Sequence, residues 1–331
     1  MSARRVVVVT GTRAEYGLLR PVIRACEARE ELEVHVIATG AHLLQPAATV
    51  EEVERECART VCVEMQRPGE GGRPDDARAL GRGIESMTGV FDELRPGIVL
   101  VLGDRIEAFA GACAASVGGI LCAHVHGGDR AEGVADESMR HAMTKLAHLH
   151  LAATETSAER IVRMGEPDRR VRVVGSPAID GLVAIAPVDS EGIGRITVGA
   201  LDSLDAVFLM HPLGRAEETE YRDASATLDA LRGMRALCLS PNSDAGREGI
   251  ARAIGEACAR EAGFVRADHL ERREFLGVLK HLARSGGVIV GNSSCALIEC
   301  AAIGLGAVDV GDRQGGRERA GTVVEPESAE S

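Results

Sequence analysis

Short apolar runs rich in Val and Ile alternate along this chain with longer stretches whose apolar residues recur every three or four positions. That pattern predicts βαβ units built around mainly parallel sheets. Residues 6–10, 34–39, 98–102, 120–125 and 149–153 read as buried strands. Between them, residues 18–29 predict a helix with Leu19, Val22, Ile23 and Cys26 on one face, and residues 138–149 predict another after the polar cluster at Asp136. The run at 171–174, followed by Gly175-Ser176-Pro177, closes the first half. A Gly- and Asp-rich stretch at 187–205 reads as a linker. The alternation then restarts, with strands expected at 207–210, 236–239, 263–266, 288–290 and 307–310. The fold class is α/β: two Rossmann-like domains, 1–178 and 179–325, followed by a polar tail, 326–331.

Composition narrows the function. A chain of 331 residues exceeds what one core usually organises, which agrees with two domains. With no Trp, two Tyr and five Phe, the cores must be aliphatic, and stacking of many bases on aromatic rings is excluded. The formal net charge of −12 argues against a protein that coats nucleic acid or an anionic membrane. No run approaches the roughly 18 apolar residues that span a bilayer. The start, MSARRVVVVTGTR, is basic and then apolar like a signal peptide, but four Val leading into a Gly-containing turn read as a first strand. Nine cysteines without a C-x-x-C pair read as reduced thiols, and the expected location is the cytoplasm.

In doubly wound sheets ligands bind beyond the carboxyl ends of the strands. The loops at those ends are loaded with polar chemistry. The first is Thr10-Gly11-Thr12-Arg13, where an Arg at a helix start suits an anion. Later strands exit into Gly103-Asp104-Arg105, into His126-Gly127-Gly128-Asp129-Arg130, and then into Asp136-Glu137-Ser138. In the second half the exits are His211-Pro212, Ser240-Pro241-Asn242, Gly291-Asn292-Ser293-Ser294 and Gly311-Asp312-Arg313. A helix cap explains any single Ser or Asp. It does not explain His, Arg and Asn recurring at the same edge in both halves, so a polar cleft shared by the halves is expected.

The motifs GTRAEYG, GDRIEA, H-x-H-G-G-D, DES-x-RHA-x-TKLAHLH, VGSPAID, HP, PNSDAG, GNSS-x-x-x-x-E and GDRQGGRERA, in this order, resemble the UDP-N-acetylglucosamine 2-epimerases over nearly the whole chain. The resemblance implies two facing Rossmann-like domains of the GT-B kind. GTRAEYG and RQGGRERA favour the hydrolysing branch, because simple epimerases typically carry GTRPE and TERPE there. Such enzymes release UDP and free N-acetylmannosamine. A related UDP-diacetamido sugar is the nearest alternative substrate, and a weak or non-enzymatic sugar-nucleotide binder the alternative from another class. Family members typically continue past the segment matching GRERAGTVVE with a closing helix, which the polar residues 326–331 do not match.

The resemblance also assigns residues. Asp104 and Asp136 match two catalytic carboxylates; the third place, usually Glu, holds His126. Imidazoles ordinarily ionise near neutrality, so His126 suits acid or base work, with Asp129 as the alternative and a structural turn histidine as the plain reading. His211 is placed both among the catalytic groups and, with Arg13, Ser293 and Ser294, among the diphosphate contacts. The serines precede a segment that reads as a helix offering backbone N–H groups. Asn292 belongs to the same nucleotide-binding set, Glu299 matches the carboxylate that takes the ribose hydroxyls, and Arg313 and Arg317 add positive charge. The route needs neither nicotinamide nor metal. The expected partner is a UDP-sugar, with neither nucleic acid nor membrane, and a homo-oligomer is expected.

Overall fold

The computed structural model describes residues 3–45, 48–130, 136–242 and 244–325, with only the backbone of Asp136. The expected tail at 326–331 lies outside them. The described residues fall into two compact units, 3–130 with 136–177, and 178–242 with 244–325.

The first unit runs β1 (Arg4–Thr10), α1 (Arg13–Glu27), β2 (Leu32–Thr39), α2 (Val50–Glu56), β3 (Thr60–Val63), α3 (Arg73–Leu94), β4 (Ile98–Leu102), α4 (Ile106–Val117), β5 (Leu121–Val125), α5 (Asp136–Leu146), β6 (Leu149–Ala152), α6 (Glu155–Arg163) and β7 (Val171–Val173). Its seven strands are ordered β3-β2-β1-β4-β5-β6-β7, and the registered pairs are parallel. The period of two along a strand divides the core into two layers: Val7 and Val9 face α3 and α4, whereas Val6 and Val8 pack with Leu19 and Ile23 of α1. Val7, Val8 and Val9 are fully buried, each side chain contributing about 1.5–3 kcal/mol relative to exposure. The strand order reverses between β1 and β4, so the crevice at their carboxyl ends carries the loops beginning at Gly11 and Gly103.

The second unit runs α7 (Ser190–Ile196), β8 (Ala206–Leu209), α8 (Glu217–Ala230), β9 (Ala236–Leu239), α9 (Arg247–Arg260), β10 (Phe264–Ala267), α10 (Arg272–Ser285), β11 (Val288–Gly291), α11 (Glu299–Ile303), β12 (Gly306–Asp309) and β13 (Val323–Val324). Its sheet order, β10-β9-β8-β11-β12-β13, reverses between β8 and β11. Val207 and Phe208 again enter opposite layers.

Three expectations are corrected. The stretch read as a linker, 187–205, carries α7, capped by Asp189, whose Oδ1 accepts the Gly192 N–H at 2.8 Å. Its Ile193 is fully buried in the second unit's core, so glycines that read as breakers sit inside a packed helix. Gly192 is one of them, since a Cβ there would lie 2.5 Å from Val188. Helix α1 begins at Arg13, ahead of its apolar stripe, because the Thr12 hydroxyl accepts the Glu15 N–H at 3.3 Å and starts the helix there. Finally, α2, β3 and α3 lie in a region with no assigned elements. Only Val53 of α2 is buried, β3 is a half-exposed edge strand, and glycines interrupt the period of α3. All nine cysteines are free thiols. Among the described residues no helix is long and apolar enough to cross a membrane.

Candidate functional site

At the carboxyl edge of the first sheet, Gly103 turns the chain out of β4 and its N–H donates to the Val125 carbonyl at 3.0 Å, tying the turn to β5. His124 of β5 holds the same turn from the other side, its Nε2–H donating to the Gly103 carbonyl at 2.8 Å. Burial pushes the His124 imidazole down to about 4, so it is a neutral strut. Asp104, next in the chain, accepts a hydrogen bond from Arg140 Nη2 of α5. Arg140 is 3% exposed, so the carboxylate and a buried guanidinium neutralise each other at the edge of the crevice. Asp136 opens α5 one turn ahead of Arg140, and its side chain lies outside the described residues.

His126 and Asp129, read as alternatives for one catalytic place, form a single unit. Nδ1–H of His126 donates to Asp129 Oδ2 at 2.7 Å, and Nε2 shares a hydrogen bond with Ser176 Oγ at 2.9 Å. The second Asp129 oxygen accepts the Ser157 hydroxyl at 2.8 Å. An imidazole oriented by a carboxylate on one nitrogen and meeting a hydroxyl on the other is set up to pass a proton. The turn is built for close packing, since a Cβ on Gly128 would lie 2.3 Å from the Ser157 carbonyl oxygen. His126 itself has φ +63°, a conformation glycine adopts without strain and other residues at a cost of about 1–2 kcal/mol.

The turn after β1 shows no such chemistry on its surface. Arg13 Nε pairs with Glu52 at 3.1 Å. Beneath, Glu15 is 6% exposed and accepts the Gly11 N–H at 2.6 Å. Burial pushes its carboxyl up to about 8, with the buried Glu107 adding to the rise. Because the folded state then holds a proton that the unfolded state releases above its usual carboxylate range, this group's stabilisation is complete below about pH 4.5. It is lost as pH rises through 8, at up to about 1.4 kcal/mol per pH unit. Glu15→Gln should flatten the fall in urea-unfolding free energy between pH 5 and 8; parallel curves for the two proteins would refute a protonated Glu15.

At the carboxyl edge of the second sheet, four loops converge. His211 follows β8, Asn242 follows β9, Asn292 and Ser293 follow β11, and Arg313 and Gln314 follow β12. The Asn292 side chain accepts the His211 N–H at 2.7 Å and donates to the His211 carbonyl at 2.8 Å. Gln314 Nε2 and Arg313 Nη1 donate to the Asn292 carbonyl at 2.8 and 3.4 Å. Ser293 Oγ accepts the Cys295 N–H at 3.5 Å, and Ser294 is half-buried beside it. After these serines come a 3₁₀ turn, Ser294–Ala296, and then the five-residue helix α11, which ends at Gly304 (φ +70°). Glu299 opens α11, is 5% exposed, and accepts from Arg272 Nη1 at 3.3 Å. Arg317 lies three residues past Gln314 and is half-buried, with its N–H donating to the Gln314 carbonyl at 3.2 Å.

The first sheet edge thus gathers Asp104, His126 and Asp129, and the second His211, Asn292, Ser293, Ser294 and Arg313. Arg140, Ser176 and Ser157 were not singled out in the sequence. Two of them had a local signal, Arg140 lying one helical turn from Asp136 and Ser176 sitting within the VGSPAID motif. Among the described residues no group of three or more His, Cys, Asp or Glu side chains is placed to hold a metal ion.

The chain resembles known proteins over nearly its whole length. The profile of the UDP-N-acetylglucosamine 2-epimerase family matches residues 24–331. The chain is 32% identical to the hydrolysing UDP-N,N'-diacetylbacillosamine 2-epimerase of Legionella pneumophila, covering 97% of this chain and 85% of that one. It is 31% identical to a UDP-N-acetylglucosamine 2-epimerase of Neisseria meningitidis serogroup B, covering 97% and 83%. The fold matches a Neisseria meningitidis UDP-GlcNAc 2-epimerase crystallised with UDP-GlcNAc, with a TM-score of 0.75 at 19% identity over 92% of this chain and 82% of that one. With two parallel-sheet α/β units of the GT-B-like kind and a family match across nearly its whole length, the chain belongs to the UDP-N-acetylglucosamine 2-epimerase family.

Proposed function

We propose that this chain is a hydrolysing UDP-sugar 2-epimerase that converts UDP-N-acetylglucosamine and water into N-acetylmannosamine and UDP. The observation that carries this reading is the 32% identity with a hydrolysing family member over 97% of the chain. A base takes the proton from carbon 2, the electron pair forms the carbon 1–carbon 2 double bond, and the bond from carbon 1 to the UDP oxygen breaks. Water then adds to carbon 1 while a proton reaches carbon 2 from the opposite face, which inverts that centre. Asp104, Asp136 and the His126–Asp129 pair supply the proton transfers. Asp104 does so beside Arg140, whose Nη2 donates to its Oδ2. Arg13, Ser293, Ser294, Arg313 and the neutral donor His211 hold the diphosphate, and Glu299 takes the ribose hydroxyls. Arg13 would exchange Glu52 for phosphate when the nucleotide arrives.

The Legionella pneumophila relative's name also favours a second substrate of the same chemistry, a UDP-diacetamido sugar. Both sugar nucleotides should therefore be incubated with the protein in deuterated water and followed by NMR. The expected result is UDP and a free 2-epimerised sugar carrying deuterium at carbon 2, with the preferred sugar giving the higher kcat/KM. Product without deuterium sinks the elimination route, and a 2-epimer still attached to UDP sinks hydrolysis. UDP binding without turnover of either sugar would make the chain a sugar-nucleotide binder.

A further inference from the structure

Strands β8 and β11 pair in parallel as far as Leu209 and Gly291. Beyond that point the ladder is continued by a side chain. The Asn292 N–H donates to the Leu209 carbonyl at 3.2 Å, and its amide group then takes both backbone groups of His211, accepting the N–H at 2.7 Å and donating to the carbonyl at 2.8 Å. One planar amide thus does what the next peptide group of a strand would do, satisfying two polar groups at the sheet's end. The close approach depends on Gly291, which has φ +148° and whose Cβ would lie 1.9 Å from the Leu209 oxygen. Asn292 is 1% exposed, and its own carbonyl is held by Gln314 at 2.8 Å.

The ring of His211 is fixed from the other side, where the Asn242 N–H donates to Nδ1 at 3.1 Å. A backbone N–H can only donate, so Nδ1 carries a lone pair and the neutral ring carries its proton on Nε2. Desolvation by the surrounding protein, with the Arg313 charge acting in the same direction, pushes this imidazole down to about 3, and it stays neutral throughout the working pH range.

We infer that Asn292 is a positioning residue, gripping the backbone of His211 so that the ring presents Nε2–H as a fixed, uncharged donor to the anionic oxygens of the nucleotide. This rests on the reading that His211 meets the diphosphate. It reassigns Asn292, expected among the nucleotide contacts, to a role exerted through His211. The side-chain chemistry is specific: Asp would set a second acceptor against the His211 carbonyl, and Leu offers neither group.

The test uses the full chain, with UDP titrated by calorimetry and the histidine ring nitrogens followed by ¹⁵N NMR. Asn292→Ala and His211→Ala should each weaken UDP binding about 10-fold. The double variant should bind no more weakly than His211→Ala, because both changes remove one interaction. In Asn292→Ala the His211 ring should leave the single Nε2–H form and show averaged tautomer shifts. Losses that multiply to about 100-fold in the double variant, or ring signals unchanged in Asn292→Ala, overturn the inference. Should the alanine variant fail to fold, Asn292→Asp keeps the shape and removes the donor, and the same change in ring signals is required of it. If His211→Ala binds UDP normally while Asn292→Ala still frees the ring, the nucleotide role of His211 falls and the clasp stands.

Discussion

Asp104→Asn is expected to lower kcat by on the order of 100-fold or more while leaving UDP affinity nearly unchanged, the scale of losing a positioned proton-transfer group. The substitution is nearly isosteric and keeps an oxygen to accept from Arg140, so the turn after β4 should persist, held by Gly103 to β5 and by His124. What it removes is the negative charge. Because Arg140 is 3% exposed, its guanidinium then sits among protein atoms with less compensation, and the unfolding free energy should fall by about 1–3 kcal/mol. Steady-state kinetics, calorimetry with UDP and urea unfolding separate these effects. A variant that lost UDP affinity at unchanged kcat would make Asp104 a binding residue.

That double consequence could not be seen in the sequence, where Asp104 and Arg140 stand 36 residues apart. The strands were legible because burial on both faces of a parallel sheet writes a continuous apolar run, as in Val6 to Val9. The loops were legible because the doubly wound topology sends chemistry to one edge, and the family motifs fall there. Elements with one half-exposed face were not: β3 has a single buried residue, and α7 buries Ile193 behind glycines that imitate a loop. Pairings were the hardest part, since the Asn292 clasp on His211 spans 81 residues and the His126 contact with Ser176 spans 50. Hydrophobic periodicity reports which face of an element is buried; it contains nothing about which polar groups meet at the ends of different strands.

His126 stands where the motif resemblance leads one to expect a Glu, and its geometry carries the second prediction. A histidine that served only to shape this turn would be a poor choice, because at φ +63° glycine would avoid a strain of about 1–2 kcal/mol. The imidazole is also committed on both nitrogens, to Asp129 and to Ser176. His126→Ala is therefore expected to lose turnover by on the order of 100-fold. Asp129→Asn removes the carboxylate that orients the ring and should cost roughly 10- to 100-fold, and the double variant should be no slower than His126→Ala, since the two act as one unit. His126→Glu places there the carboxylate expected from the motif resemblance and should keep substantial activity. Its pH profile should shift toward acid, because carboxylates ordinarily titrate about two units below imidazoles. The contrary outcome is equally definite. If the residue only turns the chain, His126→Gly will be at least as stable as the parent in urea and fully active, and the proton relay will have to be sought at Asp129 alone.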